Sequence, residues 1–314
     1  MQKQFKVEDL KTRLDKYLAV QLPEISRSQI QRDIEAGKVL VNDVKVLVTK
    51  FVVRLGDGIS YEQTANSKLS EQLKPTNTPI KILYNNHGLL IIDKPAGLTV
   101  HPGAGFKGET LASALLYQFK DIHLVGEDHR PGIVHRLDKD TSGVILVATT
   151  QEMYEHLKNA FLERKVKKVY LALVAGKMDK RHDIIKTPIG KSKTDFRKQT
   201  TKNPVEGKEA VTEYLVMEEL QSGVDIYTLI LVKLHTGRTH QIRVHMASIG
   251  HPLIGDELYG GKKGKALGLN RQFLHAKKIE VQLPDSTWIE AESQLALDLK
   301  DILKKLDSKI VNQL

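Results

Sequence analysis

The chain has 314 residues, with 48 Lys and Arg against 38 Asp and Glu, a formal net charge of +10 and no cysteine. That length allows two domains, and the missing thiols exclude disulfides, thiolate metal sites and cysteine nucleophiles. No run approaches the roughly 20 apolar residues of a membrane span, and the positive excess points to a polyanionic partner, RNA or DNA.

Met1-Gln2-Lys3-Gln4-Phe5 has no apolar signal core, so a cytoplasmic protein is expected. Residues 13–20 read as a short amphipathic helix. Ser26 or Ser28 can cap a second helix over 29–36, with Ile30 and Ile34 on one face and a stop at Gly37. Residues 39–46 read as two strands around an Asn42-Asp43 turn, and Gly56-Asp57-Gly58 marks another turn. Residues 63–79 are polar, carry two prolines and read as a linker between a first domain over 12–62 and a second over 80–306.

In the second block, 80–83 and 89–92 are strand-like, and Thr110 caps a helix reaching Phe119. Residues 133–137 and 144–148 read as strands flanking a loop, and a helix is expected over 152–163. Strands follow over 166–174, 212–217 and 226–233. Thr239 caps a helix to Ile249 whose core stripe is Ile242, Met246 and Ile249, and a last helix lies near 295–306. Mixed strands with helices between them indicate an α+β catalytic domain.

The most informative segment is Gly132-Ile-Val-His-Arg-Leu-Asp-Lys-Asp-Thr-Ser-Gly143. If 133–138 is extended, alternation sends Arg136 and Asp138 to one face, His135 and Leu137 to the other. An aspartate beside an arginine stays ionised at neutral pH and can serve as nucleophile or base. Taken singly, Asp138 reads as a turn carboxylate, Tyr170 as core and Arg243 as a helix-surface charge; only their combination argues for chemistry.

Three other patterns carry less. Gly103-Ala-Gly105-Phe-Lys-Gly108 fits G-x-G-x-x-G, but Pro102 precedes it where a strand should enter a phosphate-binding turn. Gly260-Gly-Lys-Lys-Gly-Lys265 lacks P-loop spacing and reads as a flexible basic loop. His235, His240 and His245 recur every five residues, which keeps no common face for zinc.

The segment around Asp138 resembles the central motif of the RluA/RluD family of pseudouridine synthases, His-Arg-Leu-Asp followed by Asp-Thr-Ser-Gly. Asp93-Lys-Pro-Ala-Gly97 with His101-Pro-Gly103, Lys168-Val-Tyr170-Leu-Ala, and Gly237-Arg-Thr-His-Gln-Ile-Arg243-Val-His with His251 to Gly260 resemble three further motifs of that family, in order, over about residues 80–285. Arg13-Leu14-Asp15, Leu18, Ser26-Arg27-Ser28, Ile34, Gly37, Val41-Asn42 and Gly56-Asp57 resemble an S4 RNA-binding domain. That order is most similar to the family's large-subunit ribosomal RNA members, the D type above all.

The resemblance implies a catalytic domain on a mixed, largely antiparallel central sheet behind a small S4 domain, acting on uridine in 23S-type rRNA or a pre-ribosomal particle as a monomer. It implies no cofactor and no metal. Asp138 would attack C1′ or remove a ribose proton, Arg243 would pair with Asp138, Tyr170 would stack on the uracil, and Arg136 would help displace the flipped nucleotide. Arg27, Gln31, Arg32, Lys38 and Lys45 would face RNA phosphates. Two rivals remain: an RNA-binding or ribosome-assembly factor without catalysis, and a base glycosylase.

Overall fold

The computed structural model describes residues 2–7, 12–22, 25, 27–62, 73–103, 106, 108–127, 129–264 and 266–314. The chain forms two compact units, Met1–Glu71 and Gln72–Leu314.

In the first unit, helices Leu14–Gln21 and Arg27–Glu35 accompany a four-stranded antiparallel sheet. Ile30 and Ile34 are both fully buried, in one cluster with Leu14, Leu18, Val39 and Tyr61, so the i,i+4 stripe packs as the sequence implies. Asn42 and Asp43 both take positive φ, 51° and 63°, the backbone of a two-residue hairpin turn. Asn42 Nδ2 donates to Asp57 Oδ1 at 2.9 Å, and Gly58 N–H donates to Asn42 Oδ1 at 2.8 Å, which ties the two sequence-marked turns together. Ser26 lies outside the described residues, as does the side chain of Ser28.

The second unit is built on nine described strands: β1 Lys81–Asn86, β2 Leu89–Lys94, β3 Ser142–Ala148, β4 Lys167–Ala175, β5 His182–Lys186, β6 Val211–Ser222, β7 Asp225–Leu234, β8 Leu274–Gln282 and β9 Trp288–Glu292. Their order is β5-β6-β7-β4-β8-β3-β2-β1, with β9 also on β8. Only the β3–β8 pair is parallel, so the sheet is mixed and largely antiparallel. One face of β4 presents Tyr170, Ala172 and Val174 to the larger core; the other presents Leu171, Leu173 and Ala175 to a second core with Leu299 and Leu303.

Helix α1 (Leu111–Gln118) starts at a capping box. Thr110 Oγ1 accepts from Ser113 N–H at 3.0 Å and Ser113 Oγ from Thr110 N–H at 2.9 Å. Thr150 caps α2 (Gln151–Leu162) through Met153 N–H, and α4 spans Leu297–Lys305. Of the expected linker, 63–72 lie outside the described residues, while Thr76 is held by Ser113 of α1, its N–H on the Ser113 carbonyl at 3.0 Å.

Four local expectations are corrected. Residues 133–137 form no regular strand. Ile133 makes one bridge to Val147, and Leu146 N–H donates to the His135 ring Nε2 at 2.8 Å, so a side chain takes the place of a backbone partner. Helix α3 spans Gln241–Ser248 and begins at His240 in the left-handed region (φ 56°, ψ 21°) with no side-chain cap, not at Thr239. Ile249 is 39% exposed beyond its end, while Gln241 to Met246 are all buried, since α3 is packed on most sides rather than along one stripe. Gly261–Gly264 is a single helical turn rather than irregular loop, and Lys265 lies outside the described residues.

Candidate active site

Asp138 sits in the loop before β3, and its backbone is fixed by neighbours on both sides. Its carbonyl accepts from Thr141 N–H at 3.1 Å, and the next carbonyl, of Lys139, accepts from Gly97 N–H at 3.0 Å. The same Lys139 oxygen accepts from Lys94 Nζ at 2.9 Å. Lys94 is fully buried at the end of β2 and also donates to Pro95 O at 2.7 Å and Leu98 O at 2.9 Å. Burial pulls the Lys94 amine down to about 7. Asp93-Lys94-Pro95 therefore clamps the loop that carries Asp138.

Helix α3 brings Arg243 to that carboxylate. Arg243 Nη1 donates to Asp138 Oδ2 at 2.9 Å. Its other edge is chelated by Asp256, which accepts from Nε at 2.7 Å and from Nη2 at 2.9 Å. Burial opposes the guanidinium charge, but the bonds to Asp256 and Asp138 outweigh it and raise the pKa of Arg243 above its ordinary value. Asp256 is fixed in turn by N–H donors of Leu258 and Tyr259, both at 3.0 Å to Oδ1, and its side chain is fully buried. Among the described residues no donor bonds Asp138 Oδ1, and the side chain keeps 18% of its surface exposed. One oxygen is held and the other has no donor among the described residues.

Above this pair lies a second layer. Arg243 stacks over the Tyr259 ring, its Cζ 5.2 Å from the centroid. The Tyr259 hydroxyl lies 2.8 Å from His240 Nδ1 and accepts from Gln199 N–H at 2.9 Å. His240 Nε2 is 3.9 Å from Asp138 Oδ2. Burial lowers the His240 pKa against the pull of Asp138, and burial pushes Tyr259 up to about 12.

Tyr170 on β4 is 7% exposed, and its hydroxyl has no hydrogen-bond partner among the described residues. Burial, then the negative charge of Asp138, raises its pKa, so the phenol stays neutral. Arg136 is exposed two residues before Asp138, whereas Leu137 is buried. The structure thus brings Asp138, Tyr170 and Arg243 together, with Arg136 at the rim.

The expected RNA-facing residues of the first unit are used unevenly. Gln31 Nε2 donates to Asp15 Oδ2 at 2.6 Å, where Arg13 also binds, and Lys38 pairs with Asp33 at 3.0 Å. Lys45 is exposed. The side chains of Arg27 and Arg32 lie outside the described residues, as do Ala104, Gly105 and Lys107 of the G-x-G-x-x-G stretch. Of the three recurring histidines, His235 binds Glu213, His240 binds Tyr259 and His245 binds Thr212 and the Thr187 carbonyl.

A family model described as RNA pseudouridylate synthase matches residues 88–248, and an S4 domain model matches 12–59. The chain belongs to the RNA pseudouridylate synthase family. It is 44% identical over 259 residues to an uncharacterized RNA pseudouridine synthase of Aquifex aeolicus (strain VF5), covering 82% of this chain and 80% of that one. It is 42% identical over 304 residues to ribosomal large subunit pseudouridine synthase D of Nitrosomonas europaea, covering 94% and 84%. Among solved structures, human RNA Pseudouridylate Synthase Domain Containing 1 superposes with a TM-score of 0.55 at 26% identity, over 74% of this chain and 97% of that one. The chain is therefore an isomerase of uridine in RNA, with an RNA-binding S4 module in front.

Asp256, His240, Tyr259 and Lys94 all lay inside motifs the sequence marks, but nothing in the sequence assigned them contacts. The one signal was density: Asp256 and Tyr259 fall in the same short segment as His251-Pro252, downstream of Arg243.

Proposed function

We propose that this chain converts specific uridines of large-subunit ribosomal RNA to pseudouridine in the cytoplasm, with Asp138 as the reacting carboxylate. The observation that carries the assignment is the asymmetry at Asp138: Oδ2 is held by Arg243, and Oδ1 has no donor among the described residues. The large-subunit substrate is supported by the names of close relatives, several of which are ribosomal large subunit pseudouridine synthase D.

The reaction breaks N1–C1′, turns the base, joins C5 to C1′, and moves the C5 proton to solvent while N1 gains one, so the RNA keeps its mass. The uridine first leaves its stack, at a cost of a few kcal/mol. Arg136, exposed beside Asp138, fills the space the nucleotide vacates. Tyr170 stacks on the uracil, and its neutral phenol helps remove the C5 proton as a relay, taking that proton on its oxygen while passing its own to solvent. Asp138 Oδ1 either attacks C1′ or takes a ribose proton, while Arg243 holds Oδ2 and offsets the charge. On the first unit, Arg27, Arg32 and Lys45 contact phosphates; Gln31 and Lys38 shape that face through their bonds to Asp15 and Asp33.

The test is pseudouridine mapping of large-subunit rRNA treated with wild-type protein and with Asp138→Asn. New pseudouridines with wild type alone, at unchanged RNA mass, support the reading. Release of free uracil would make the chain a glycosylase, and binding by both proteins with no modification would make it a binding factor.

A further inference from the structure

Lys168 is a partly buried cation of the site region for which the described residues offer no acceptor. It lies two residues before Tyr170 on β4, and the Phe161 ring it approaches packs against the same core that holds Tyr170, which puts both side chains on one side of the sheet. Its neighbour Lys167, on the opposite face, pairs with Glu280 at 2.8 Å and lies over the Trp288 ring. Lys168 has neither hydrogen bond nor ion pair among the described residues. Burial alone lowers its amine to about 8, as expected for an ammonium taken out of water without a counter-charge.

Its position is nonetheless fixed. Lys168 Nζ lies 5.6 Å from the centroid of the Phe161 ring, and Phe161 stacks on His135 with centroids 4.5 Å apart. His135 is itself locked, because its Nε2 accepts from Leu146 N–H. It stays neutral, its pKa pressed down to about 3 by burial and then by the Lys168 charge. On its other side the amine comes near Gly237, where the turn leading to His240 and Arg243 begins. A cation-π contact of this kind orients the ammonium without neutralising it. No anion among the described residues completes it.

We propose that Lys168 forms a phosphate subsite beside Tyr170, which takes one backbone phosphodiester of the RNA next to the uridine being isomerised. The inference rests on the reading of Asp138 as the reacting group only for which nucleotide stands there; the anion itself is called for by Lys168. A lysine suits a single phosphate as a point charge, whereas a paired base edge would call for a fork of donors.

The experiment measures RNA binding with the full chain in the Asp138→Asn background. The probe is the shortest large-subunit rRNA fragment that wild-type protein binds. Lys168→Met is expected to weaken binding about tenfold at low salt, the worth of one charge-assisted contact. The slope of log K against log salt becomes shallower by about 0.7 to 0.9, the signature of one lost phosphate contact. Lys168→Arg restores most of both. A methylphosphonate scan of the RNA, needing no variant, finds one backbone position whose neutralisation weakens wild-type binding and has no further effect with Lys168→Met. Unchanged affinity and slope for a folded Lys168→Met would overturn the proposal, as would a weaker affinity with no change of slope and no coupled phosphate. Residual turnover by Asp138→Asn would defeat the assignment of Asp138 and leave this binding test standing.

Discussion

Replacing Asp256 by Asn tests whether the active site depends on a buried carboxylate that never meets the RNA. Asp256 accepts four hydrogen bonds, two of them from Arg243, and its side chain is fully buried. The amide of Asn keeps one oxygen for the bonds at the Oδ1 position: Arg243 Nη2, Leu258 N–H and Tyr259 N–H. It turns an N–H toward the Arg243 Nε–H that Oδ2 accepted, and it removes the charge that neutralised a buried guanidinium. Breaking one partner out of a buried pair costs about 3–5 kcal/mol, and because three of the four acceptances survive the lower end applies. For a unit of this size about 3 kcal/mol lowers the melting temperature by about 6–12 °C, within the stability a folded domain has to lose. Arg243, loosened from Asp256, then shifts against Asp138, and a displacement on the order of 1 Å at a reacting group costs about a hundredfold in rate. KM should hardly move, since Asp256 lies beneath the site. The assay pairs thermal melting of the full chain with single-turnover pseudouridine formation. Asp138→Asn gives the contrast: Arg243 keeps Asp256, the stability change stays near 1 kcal/mol, and turnover is lost. An Asp256→Asn protein that melted and turned over like wild type would refute the argument, and so would one destabilised as expected but undiminished in kcat.

Tyr170→Phe removes a hydroxyl that has no hydrogen-bond partner among the described residues and keeps the ring, so stability should stay within about 0.5 kcal/mol; single-turnover rates should fall about a hundredfold with RNA affinity retained if the phenol assists proton removal. Gly143→Ala should prevent soluble folding, because Gly143 sits at φ +113° and an added Cβ runs into the carbonyl oxygen of Ala276 on β8; soluble yield and melting report it. His135, pressed down to about 3 by burial, binds no proton in the folded protein between that value and its unfolded value of about 6.5. The unfolded chain does, so its contribution is complete above about pH 6.5 and shrinks as pH falls, by about 2 kcal/mol at pH 5. His135→Gln, whose amide oxygen can still accept from Leu146 N–H, should flatten that part of the stability-against-pH curve in denaturant titrations.

What the sequence revealed was local or periodic. Thr110, Ile30 with Ile34, and Asn42-Asp43 each specify a cap, a stripe or a turn within a few residues, and each appears in the structure. The expectation failed where a distant partner intervened. Residues 133–137 carry an apolar strand pattern, yet the His135 ring reaches Leu146 N–H and displaces the backbone carbonyl that a strand would have offered. Helix α3 has no narrow apolar stripe because β6 and its neighbours enclose it: Gln241 Nε2 bonds the Val211 carbonyl and Thr212, and His245 bonds Thr212. Its start at His240 needs a left-handed residue that no propensity favours, and the Tyr259 hydroxyl 2.8 Å from the His240 ring holds it there. The site residues were legible as motifs; the network joining them, Asp256 above all, spans contacts that periodicity does not encode.

The charge arrangement explains why both carboxylates are needed. A guanidinium with Asp138 as sole partner would claim both carboxylate oxygens in a fork and leave neither to react. Asp256 takes the Nε and Nη2 edge of Arg243, so that only Nη1 is left for Asp138 and only Oδ2 is engaged. The cluster Asp138, Arg243 and Asp256 therefore carries one net negative charge, and burial confines it: Asp256 is enclosed, whereas Asp138 alone reaches the surface. The exposed Arg136, and Lys168 with no ion pair among the described residues, supply positive charge at the rim and on the Tyr170 side, where the proposed RNA backbone would lie. On the proposed reading, a carboxylate framed by cations would draw the polyanion in through its phosphates while keeping one oxygen of Asp138 for the sugar. By this reasoning, moving the carboxylate of Asp256 elsewhere by substitution would not simply weaken Arg243. It would free the fork to close on Asp138 and engage both of its oxygens, so that the carboxylate proposed to react would become a structural one.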